Sequence, residues 1–429
     1  MALTPTNPDQ ADSMGAFRSV PYMGVIWVVA EASKLGFTNG DPDWCNLGQG
    51  QPEVGEMEGA PPRISSIAME PHDHAYGPIN GTTELREAVA AHYNRLYRQG
   101  KSSQYTADNV SIAAGGRLAL TRAFAALGEG RLGYQVPDYT AYEDMIDTHR
   151  HRFRPVGLFA SESDGFALPP DKLAQAITEQ ELTAFLLSNP CNPTGQVIRG
   201  EALSEYLSIA RANHTTLFLD EFYSHFIYND SSPADGPVSA AAYIEDVQTE
   251  PVLIIDGLTK CFRYPGWRVG WVLGPAEMIE TLGRAASAID GGPGQPIQRA
   301  AIEALEPARA DQETDALRAG FSAKRNLMIE RLSEMGVRFA HESDATFYLW
   351  GCLDGLPEPL NNVETFFRSA LERKVLTVPG RFFDVNPGKE RPDPSPLANW
   401  MRFSFGPPMD NIVLGLDRLA KMVGEARNG

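Results

Sequence analysis

The stretch Ile254-Ile-Asp-Gly-Leu-Thr-Lys-Cys-Phe-Arg-Tyr-Pro-Gly-Trp-Arg-Val-Gly-Trp271 places Lys260 and Arg268 between two short apolar runs, residues 252–256 and 269–273. Runs of this length and composition are typical of buried strands. A lysine directly after such a strand is expected to have a lowered pKa, because desolvation favours the neutral amine that forms Schiff bases. Arg268 could bind a phosphate through two parallel hydrogen bonds. Taken singly, the two would more simply be a surface lysine and an arginine at a strand end.

Four further apolar runs precede this stretch, and helical patterns lie between them. We predict strands at residues 110–113, 132–136, 183–187 and 216–220. Short apolar strands that alternate with helices are typical of a mostly parallel sheet with crossover helices. The central part of the chain is therefore predicted to be an α/β unit.

The pattern changes after about residue 300. A long charged helix at 307–335 leads to separated strands at 346–350, 375–378 and 401–405, with helices at 363–373 and 410–425. This pattern indicates a smaller α+β domain. We expect residues 51–305 to form the large domain, 306–429 the small one, and the N-terminal segment 1–50 to pack on the small domain.

Composition excludes several classes of function. The chain has 429 residues, with 37 Lys and Arg against 55 Asp and Glu, a net charge of −18. It lacks the basic surface that nucleic acid requires, so we expect no such partner. Its four cysteines form no CxxC pair, which disfavours a metal or disulfide framework and fits a reducing cytoplasm. The apolar run at residues 23–30 is too short to span a membrane, and no basic signal region precedes it.

Three other segments carry residues suited to binding at the carboxyl ends of strands. Asn192 lies in a Ser-Asn-Pro-Cys-Asn-Pro-Thr-Gly loop, which is either a plain turn or a rigid holder for an amide. Asp220 ends an apolar strand, where it is either a turn or helix-capping residue or a buried anion paired with a ligand cation. Gly115 and Gly116 open a helix, in a plain turn or in an anion site.

Together these segments resemble one family, the fold-type I pyridoxal-phosphate (PLP) enzymes of the class I/II aminotransferase branch. The resemblance runs from about Asn46 to Gly406. It implies a large PLP-binding domain with a mostly parallel seven-stranded sheet flanked by helices, plus a smaller α+β domain formed from both chain ends.

The resemblance also implies a role for each site residue. Lys260 would form the internal aldimine and then move the proton between Cα and C4′. Asp220 would face the pyridine nitrogen and keep it protonated, which makes the ring an electron sink. Asn192 and Tyr223 would donate to the phenolic oxygen. The catalytic residues are thus Lys260, Asp220 and Tyr223.

The remaining residues that it implies hold the phosphate, the ring or the substrate. The phosphate would be held by Gly115, Gly116 and Arg268, with Tyr76 reaching it from the neighbouring subunit of a homodimer. Tyr139 would stack on the ring. Gly50, Asn192 and Arg402 would bind the substrate, the arginine through its α-carboxylate. No metal is implied.

Three positions depart from the family's pattern. Gly257 stands where a serine often binds the phosphate, three positions before the lysine, and Thr259 could partly compensate. Arg117 stands where a small or polar neutral residue is commoner, and it could supply replacement charge. Cys261 follows the lysine directly, and a packing role is favoured there over a reactive thiol.

The favoured reaction is transamination between an α-amino acid and a 2-oxo acid. The alternative is β- or γ-elimination, substitution or cyclisation on an amino acid, S-adenosylmethionine included, because the family shares its first step among several reactions. A non-catalytic ligand sensor on this fold would need an attached basic DNA-binding domain, which we do not expect here.

Overall fold

The computed structural model describes residues 22–228, 236–391 and 394–428. Residues 1–21 of the expected N-terminal segment, 229–235 of the large domain, and 392, 393 and 429 of the small domain lie outside the described residues. Within the described ranges the helices are α1 (Gly24–Ser33), α2 (Thr83–Tyr97), α3 (Gly116–Ala126), α4 (Ala141–Thr148), α5 (Pro170–Glu179), α6 (Gly200–Asn213), α7 (Ala276–Ile289), α8 (Gln295–Ala304), α9 (Pro307–Met335), α10 (Val363–Glu372) and α11 (Met409–Asn428).

The strands of the same ranges belong to three sheets. They are β1 (Cys45–Asn46), β2 (Val110–Ala113), β3 (Gly130–Val136), β4 (Phe153–Phe159), β5 (Ala184–Ser188), β6 (Thr216–Asp220), β7 (Val252–Gly257), β8 (Gly270–Leu273), β9 (Arg338–Phe339), β10 (Tyr348–Cys352), β11 (Val375–Leu376), β12 (Val378–Pro379) and β13 (Trp400–Ser404).

The largest sheet has seven strands in the order β2-β8-β7-β6-β5-β3-β4. Only β8 runs against its neighbours, so the sheet is mostly parallel. Helices α3, α6 and α7 pack against its strands. The predicted α/β fold with a mostly parallel seven-stranded sheet is confirmed, and the predicted strands at 110–113 and 216–220 have the observed bounds.

One strand of this sheet, β4, has no counterpart among the runs that we predicted. Its sequence, Phe-Arg-Pro-Val-Gly-Leu-Phe, includes a proline and a glycine, and several of its residues are only partly buried. An edge strand tolerates proline because one side of its backbone needs no ladder partner. Since β4 lies at the edge of the sheet beside β3, it lacks the continuous apolar run of the central strands.

The second sheet is antiparallel, in the order β12-β13-β10-β9, and it comes from the C-terminal part of the chain. The run predicted at 375–378 is in fact two short strands, β11 and β12, separated by Thr377. The first of them pairs with β1, where Cys45 lies opposite Val375. An N-terminal and a C-terminal segment therefore share one small sheet.

The described chain has no helix with both the length and the apolar character needed to cross a membrane. Its described residues also contain no cluster of three or more His, Cys, Asp or Glu side chains placed to hold a metal ion.

Candidate active site

A cleft of about 1630 Å³ opens where the parallel strands end. Strands β3, β5, β6 and β7 run in one direction, so their carboxyl ends share an edge of the sheet, where open α/β folds bind ligands. The predicted site residues that line the cleft are Gly50, Gly116, Arg117, Tyr139, Asn192, Asp220, Tyr223, Thr259, Lys260, Arg268 and Arg402. Residues that lie as far apart in the sequence as Gly50 and Arg402 thus meet in one cavity.

Lys260 follows β7 and reaches into this cleft, where its Nζ donates a hydrogen bond to the carbonyl oxygen of Gly50. The pKa of the Lys260 amine is lowered to about 7, chiefly by burial and also by the charges of Arg402 and Arg117, while the charge of Asp220 opposes them. A large fraction of this lysine is therefore neutral near pH 7. The neutral amine is the nucleophilic form, so the expectation of a lowered pKa is met.

Asp220 is the last residue of β6 and is buried. Its carboxylate accepts a hydrogen bond of 2.7 Å from the hydroxyl of Tyr142, which lies in α4. Burial raises the pKa of this carboxyl to about 6, while the bond from Tyr142 and the charge of Lys260 pull it down. A buried carboxylate with a raised pKa is suited to pair with a cationic group of a ligand.

Arg402 lies in β13, the strand that joins β10 and β12, and is 1% exposed. Its Nη1 donates to Oδ1 of Asn192 at 2.9 Å, and its Nη2 donates to the carbonyl oxygen of Gly48, also at 2.9 Å. Its Nε is buried and has no hydrogen-bond partner among the described residues. Since an unpaired buried donor costs free energy, this edge of the guanidinium is suited to a ligand carboxylate.

The N-terminus of α3 forms a second anion-binding feature. Gly115 caps the helix with φ of 93°, and no side chain accepts from the first-turn N–H groups. Any side chain on Gly115 would overlap the guanidinium of Arg268, and one on Gly116 would overlap the ring of Phe222. The glycines therefore leave uncapped helix N–H groups beside an arginine, an arrangement that suits phosphate.

Arg268 itself has an uncommon backbone conformation. It is a non-glycine residue with φ of 54° and ψ of 50°, between the turn Pro265–Trp267 and β8. Its Nη1 donates to the carbonyl oxygen of Pro265 at 2.9 Å. Left-handed conformations of non-glycine residues are rare and concentrate at functional sites, and this one directs the side chain across the glycines.

The structure gives a reason for the glycine at position 257. Gly257 lies opposite Gly270 in the β7–β8 pair. A Cβ on Gly257 would come within 2.5 Å of the carbonyl oxygen of Val269 and 2.6 Å of the Gly270 Cα. A Cβ on Gly270 would in turn come within 2.9 Å of the backbone of Gly115. The backbones of β7, β8 and the α3 loop thus touch, and no serine side chain fits at 257.

The two predicted aromatic residues of the cleft each form a hydrogen bond with another residue of the cleft lining. The hydroxyl of Tyr139 accepts from Nε of Arg117 at 3.0 Å, so these two side chains are held together. The hydroxyls of Tyr223 and Tyr348 lie 3.0 Å apart. The guanidinium of Arg402 lies 4.0 Å from the centre of the Tyr348 ring, which links Tyr223 to the arginine.

Tyr76 and Cys261 do not line the cleft, and neither does Gly115, which caps α3 next to it. Tyr76 is fully exposed and is absent from the cleft lining. Cys261 is buried on the other side of the lysine loop, where its Sγ lies 3.2 Å from the carbonyl oxygen of Phe222. Burial raises the pKa of the Cys261 thiol well above its usual value, which agrees with a packing role.

Tyr142, Tyr348 and Phe222 are neighbours of the site that sequence reasoning missed. Tyr348 looked like an ordinary aromatic residue of a strand, and its place in the cleft depends on how the two sheets meet. Tyr142 follows Tyr139 by three positions, in the first turn of α4, and its backbone N–H donates to the carbonyl oxygen of Tyr139 at 3.0 Å. This spacing was the only local signal for it.

Comparison with known proteins agrees with this geometry. The model of the family "Aminotransferase class I and II" matches residues 42–419. The chain belongs to this family. It is therefore an enzyme of the transferase class, and the resemblance predicted from the motifs is confirmed.

Individual relatives have low sequence identity but match along most of their length and of this chain. An aspartate aminotransferase of Pyrococcus abyssi is 28% identical, over 90% of this chain and 94% of the relative. A probable N-succinyldiaminopimelate aminotransferase of Mycobacterium tuberculosis is 29% identical, over 95% and 98%. The aspartate aminotransferase of Thermus thermophilus, solved with maleate, has the same fold, with a TM-score of 0.76 at 23% identity over 94% of this chain and 97% of that one.

Proposed function

We propose that this enzyme is a PLP-dependent aminotransferase that moves an amino group between an α-amino acid and a 2-oxo acid, with Lys260 as the residue that binds the cofactor. One observation carries the proposal: a lysine with a pKa of about 7, a buried carboxylate and two separate anion-binding features all open into one cleft. Membership of the aminotransferase family supports it.

The residues of the cleft fit PLP at its phosphate and at its ring. The uncapped N-terminus of α3, Arg268 and the hydroxyl of Thr259 are suited to hold the phosphate. Arg117 adds positive charge beside Gly116, which offsets the donor that position 257 cannot supply. Asp220 is placed to pair with the ring nitrogen, and Tyr142 orients its carboxylate.

When bound, PLP supplies an aldehyde that condenses with amines and a ring that withdraws electrons from Cα of the substrate. Lys260 then holds or releases the proton that moves at Cα, because its amine titrates near neutral pH. Arg402 orients the substrate through its α-carboxylate, and Asn192, which accepts from Nη1, fixes the guanidinium. Tyr223 would donate to the phenolic oxygen of the bound ring, with Tyr348 as its hydrogen-bond partner.

We also propose the domain division and the assembly. Residues 51–305 would be the PLP-binding domain, and residues 1–50 would complete the small domain of 306–429; the β1–β11 pair supports this. Tyr76 is fully exposed, which fits a residue that reaches the phosphate of a second subunit in a homodimer. The lack of a CxxC pair supports a cytoplasmic location.

The test is to mix the PLP-loaded enzyme with a panel of amino acids, S-adenosylmethionine included, without any 2-oxo acid. Stoichiometric conversion of the cofactor to its amine form, seen by absorbance and mass spectrometry, is the expected result. Catalytic product formation with the aldehyde form regenerated would instead establish elimination, substitution or cyclisation. No reaction with any amino acid would contradict the proposal.

A further inference from the structure

The outer part of the cleft differs from the part around Lys260, because one of its walls, helix α1, is apolar. On helix α1, Val25, Ile26 and Val29 line the cleft, and Tyr22 precedes them at helical spacing. Positions 22, 25, 26 and 29 share one face of a helix. Ile26 is 51% exposed, so this face is not covered by the described part of the chain.

Residues on the other side of α1 pack against the rest of the protein and hold the helix in place. Val28 is fully buried, and the ring of Trp27 lies 5.3 Å from that of Phe367 and 5.1 Å from that of Phe382. The helix begins against the large domain, since a Cβ on Gly24 would come within 2.7 Å of Thr140 Oγ1. Because Thr140 follows Tyr139, the first turn of α1 lies beside the ring-stacking position.

The charges of the outer cleft are of one sign. Between residues 22 and 56, the cleft lining has three acidic residues, Asp41, Glu53 and Glu56, and no lysine or arginine among the described residues. The cations of the lining are Arg117, Lys260, Arg268 and Arg402, all of which already have a role or a partner near the cofactor. Glu53 is paired with Lys324 at 2.6 Å, so the uncompensated acidic residues of this stretch are Asp41 and Glu56. A second carboxylate on the substrate would meet the apolar side chains of α1 and would find no counter-ion among the lining residues 22–56.

The size of the cleft leaves room for a long side chain. Its volume of about 1630 Å³, which includes the space proposed for PLP, exceeds the roughly 300–1,000 Å³ of most small-molecule sites. Val54, on the segment that carries the acidic residues, is 47% exposed and adds apolar surface to the same cavity.

From these features we propose that the amino donor is a neutral amino acid with a large apolar side chain, which lies against Val25, Ile26 and Val29. This inference rests on the proposed aminotransferase function. It sets the chain apart from the relatives that are named for aspartate, a dicarboxylic amino acid. The amino acid's α-carboxylate would bind Arg402, and its side chain would extend outward along α1.

A homologous series of amino donors tests the inference with the PLP-loaded enzyme. We would measure the rate constant of the half-reaction over the dissociation constant for alanine, 2-aminobutyrate, norvaline and norleucine, with aspartate and glutamate alongside. Each added methylene that enters an apolar site contributes about 0.8 kcal/mol, so the ratio should rise by about fourfold per methylene. Aspartate and glutamate should react more slowly than norleucine.

Variants assign this gain to α1. Val25→Thr combined with Ile26→Thr keeps two β-branched side chains and makes them polar, and it should flatten the increase to about twofold per methylene or less. The rise per methylene compares two substrates of the same enzyme, so a variant that is less active with every substrate gives the same rise. Leu35→Thr is the matched control, because Leu35 is 54% exposed just after α1 but does not line the cleft, and its series should be like that of the unmodified enzyme.

The outcomes separate this inference from the function on which it rests. Two results would contradict the proposed preference for an apolar side chain: a faster reaction with aspartate or glutamate than with norleucine, or a ratio of rate constant to dissociation constant that does not rise along the series. Neither result would contradict the aminotransferase function. If this ratio rises with each methylene but the rise is the same in the α1 variant, the side chain does not lie against α1. No conversion of the cofactor by any donor would contradict the aminotransferase function itself.

Discussion

At the inner end of the cleft, four glycines bring backbone against backbone, whereas at the outer end the wall consists of side chains on one helix. Gly257 meets Gly270, and Gly270 in turn meets the loop of Gly115 and Gly116, with no room for a Cβ. The outer wall leaves half of Ile26 exposed. The inner end is therefore fixed by the sheet, and the outer end can vary without disturbing it.

This difference separates two tasks. A phosphate is the same in every turnover, so a rigid anion site of helix N–H groups and one arginine suits it. A substrate side chain must enter and leave, and apolar side chains provide affinity without fixed geometry. We expect changes at the inner end to affect folding and cofactor binding, and changes at the outer end to affect the choice of substrate.

The largest effect is expected for Gly257→Ser, which restores the serine that the family often has at this position. Resemblance alone would predict tighter cofactor binding from an added phosphate donor. The structure predicts the opposite, because the new Cβ would lie 2.5 Å from the carbonyl oxygen of Val269. We expect a loss of about 1–3 kcal/mol in the free energy of unfolding, measured by urea titration of the cofactor-free protein, and weaker PLP binding.

Gly128→Ser is the control for this prediction. Gly128 has no atom within 4 Å of an added Cβ and lies outside the cleft, so its substitution should have little effect. Tighter PLP binding by Gly257→Ser with unchanged stability would show that the backbones of β7 and β8 are not in close contact.

An effect of similar free energy, but confined to substrate binding and without a loss of stability, is expected for Arg402→Lys. Lysine keeps the positive charge but cannot donate to Asn192, to Gly48 and to a carboxylate with the same fork. Hydrogen bonds to charged groups contribute about 1.5–3 kcal/mol, so the KM for the amino acid should rise by about 10- to 150-fold. PLP affinity, measured by fluorescence titration, should change much less.

Arg373→Lys is the matched control, since Arg373 pairs with Glu425 outside the cleft. If Arg402→Lys weakened PLP binding and substrate binding equally, Arg402 would belong to the cofactor end of the cleft.

The smallest effect is expected for Arg117→Gln, at the junction of the two ends. Arg117 is one of the cations that lower the pKa of Lys260, although burial is the main cause. Removing its charge makes the protonated lysine less unfavourable, so the amine should become neutral at higher pH. Reaction of Lys260 with an acylating reagent in the cofactor-free protein should have its midpoint near pH 7, and the variant should move it upward by less than about one pH unit.

Competitive labelling followed by mass spectrometry measures this midpoint at Lys260 alone. Arg131→Gln is the control, because Arg131 pairs with Glu181 away from the cleft. A midpoint that moves to lower pH in Arg117→Gln would contradict the electrostatic account of the lysine.

The inner end could be predicted from the sequence because its features are local. Lys260 and Asp220 each follow a buried strand that is evident as an apolar run, and Gly115 and Gly116 follow another. Parallel strands bring such positions to one edge of the sheet. The outer end could not be predicted in the same way, because Tyr348 and Ile26 line the cleft only when segments hundreds of residues apart meet.

The fold shows the same division. The long helix at 307–335 and the strands at 110–113 and 216–220 were predicted with their observed bounds, since burial gives each a clear pattern. Strand β4 was missed because an edge strand with Pro155 and Gly157 lacks that pattern. The two-residue strand β1 was missed because its pairing with β11 depends on the tertiary fold.

The central claim, that Lys260 is the residue on which the cleft is organised, has a direct measurement. The PLP-loaded enzyme is reduced with borohydride and digested, and the peptides are analysed by mass spectrometry. The account predicts one pyridoxyl phosphate per chain, on the peptide that contains Lys260, and none after Lys260→Ala in a protein whose circular dichroism is unchanged. Modification of another lysine, or of none in the unmodified enzyme, would contradict it.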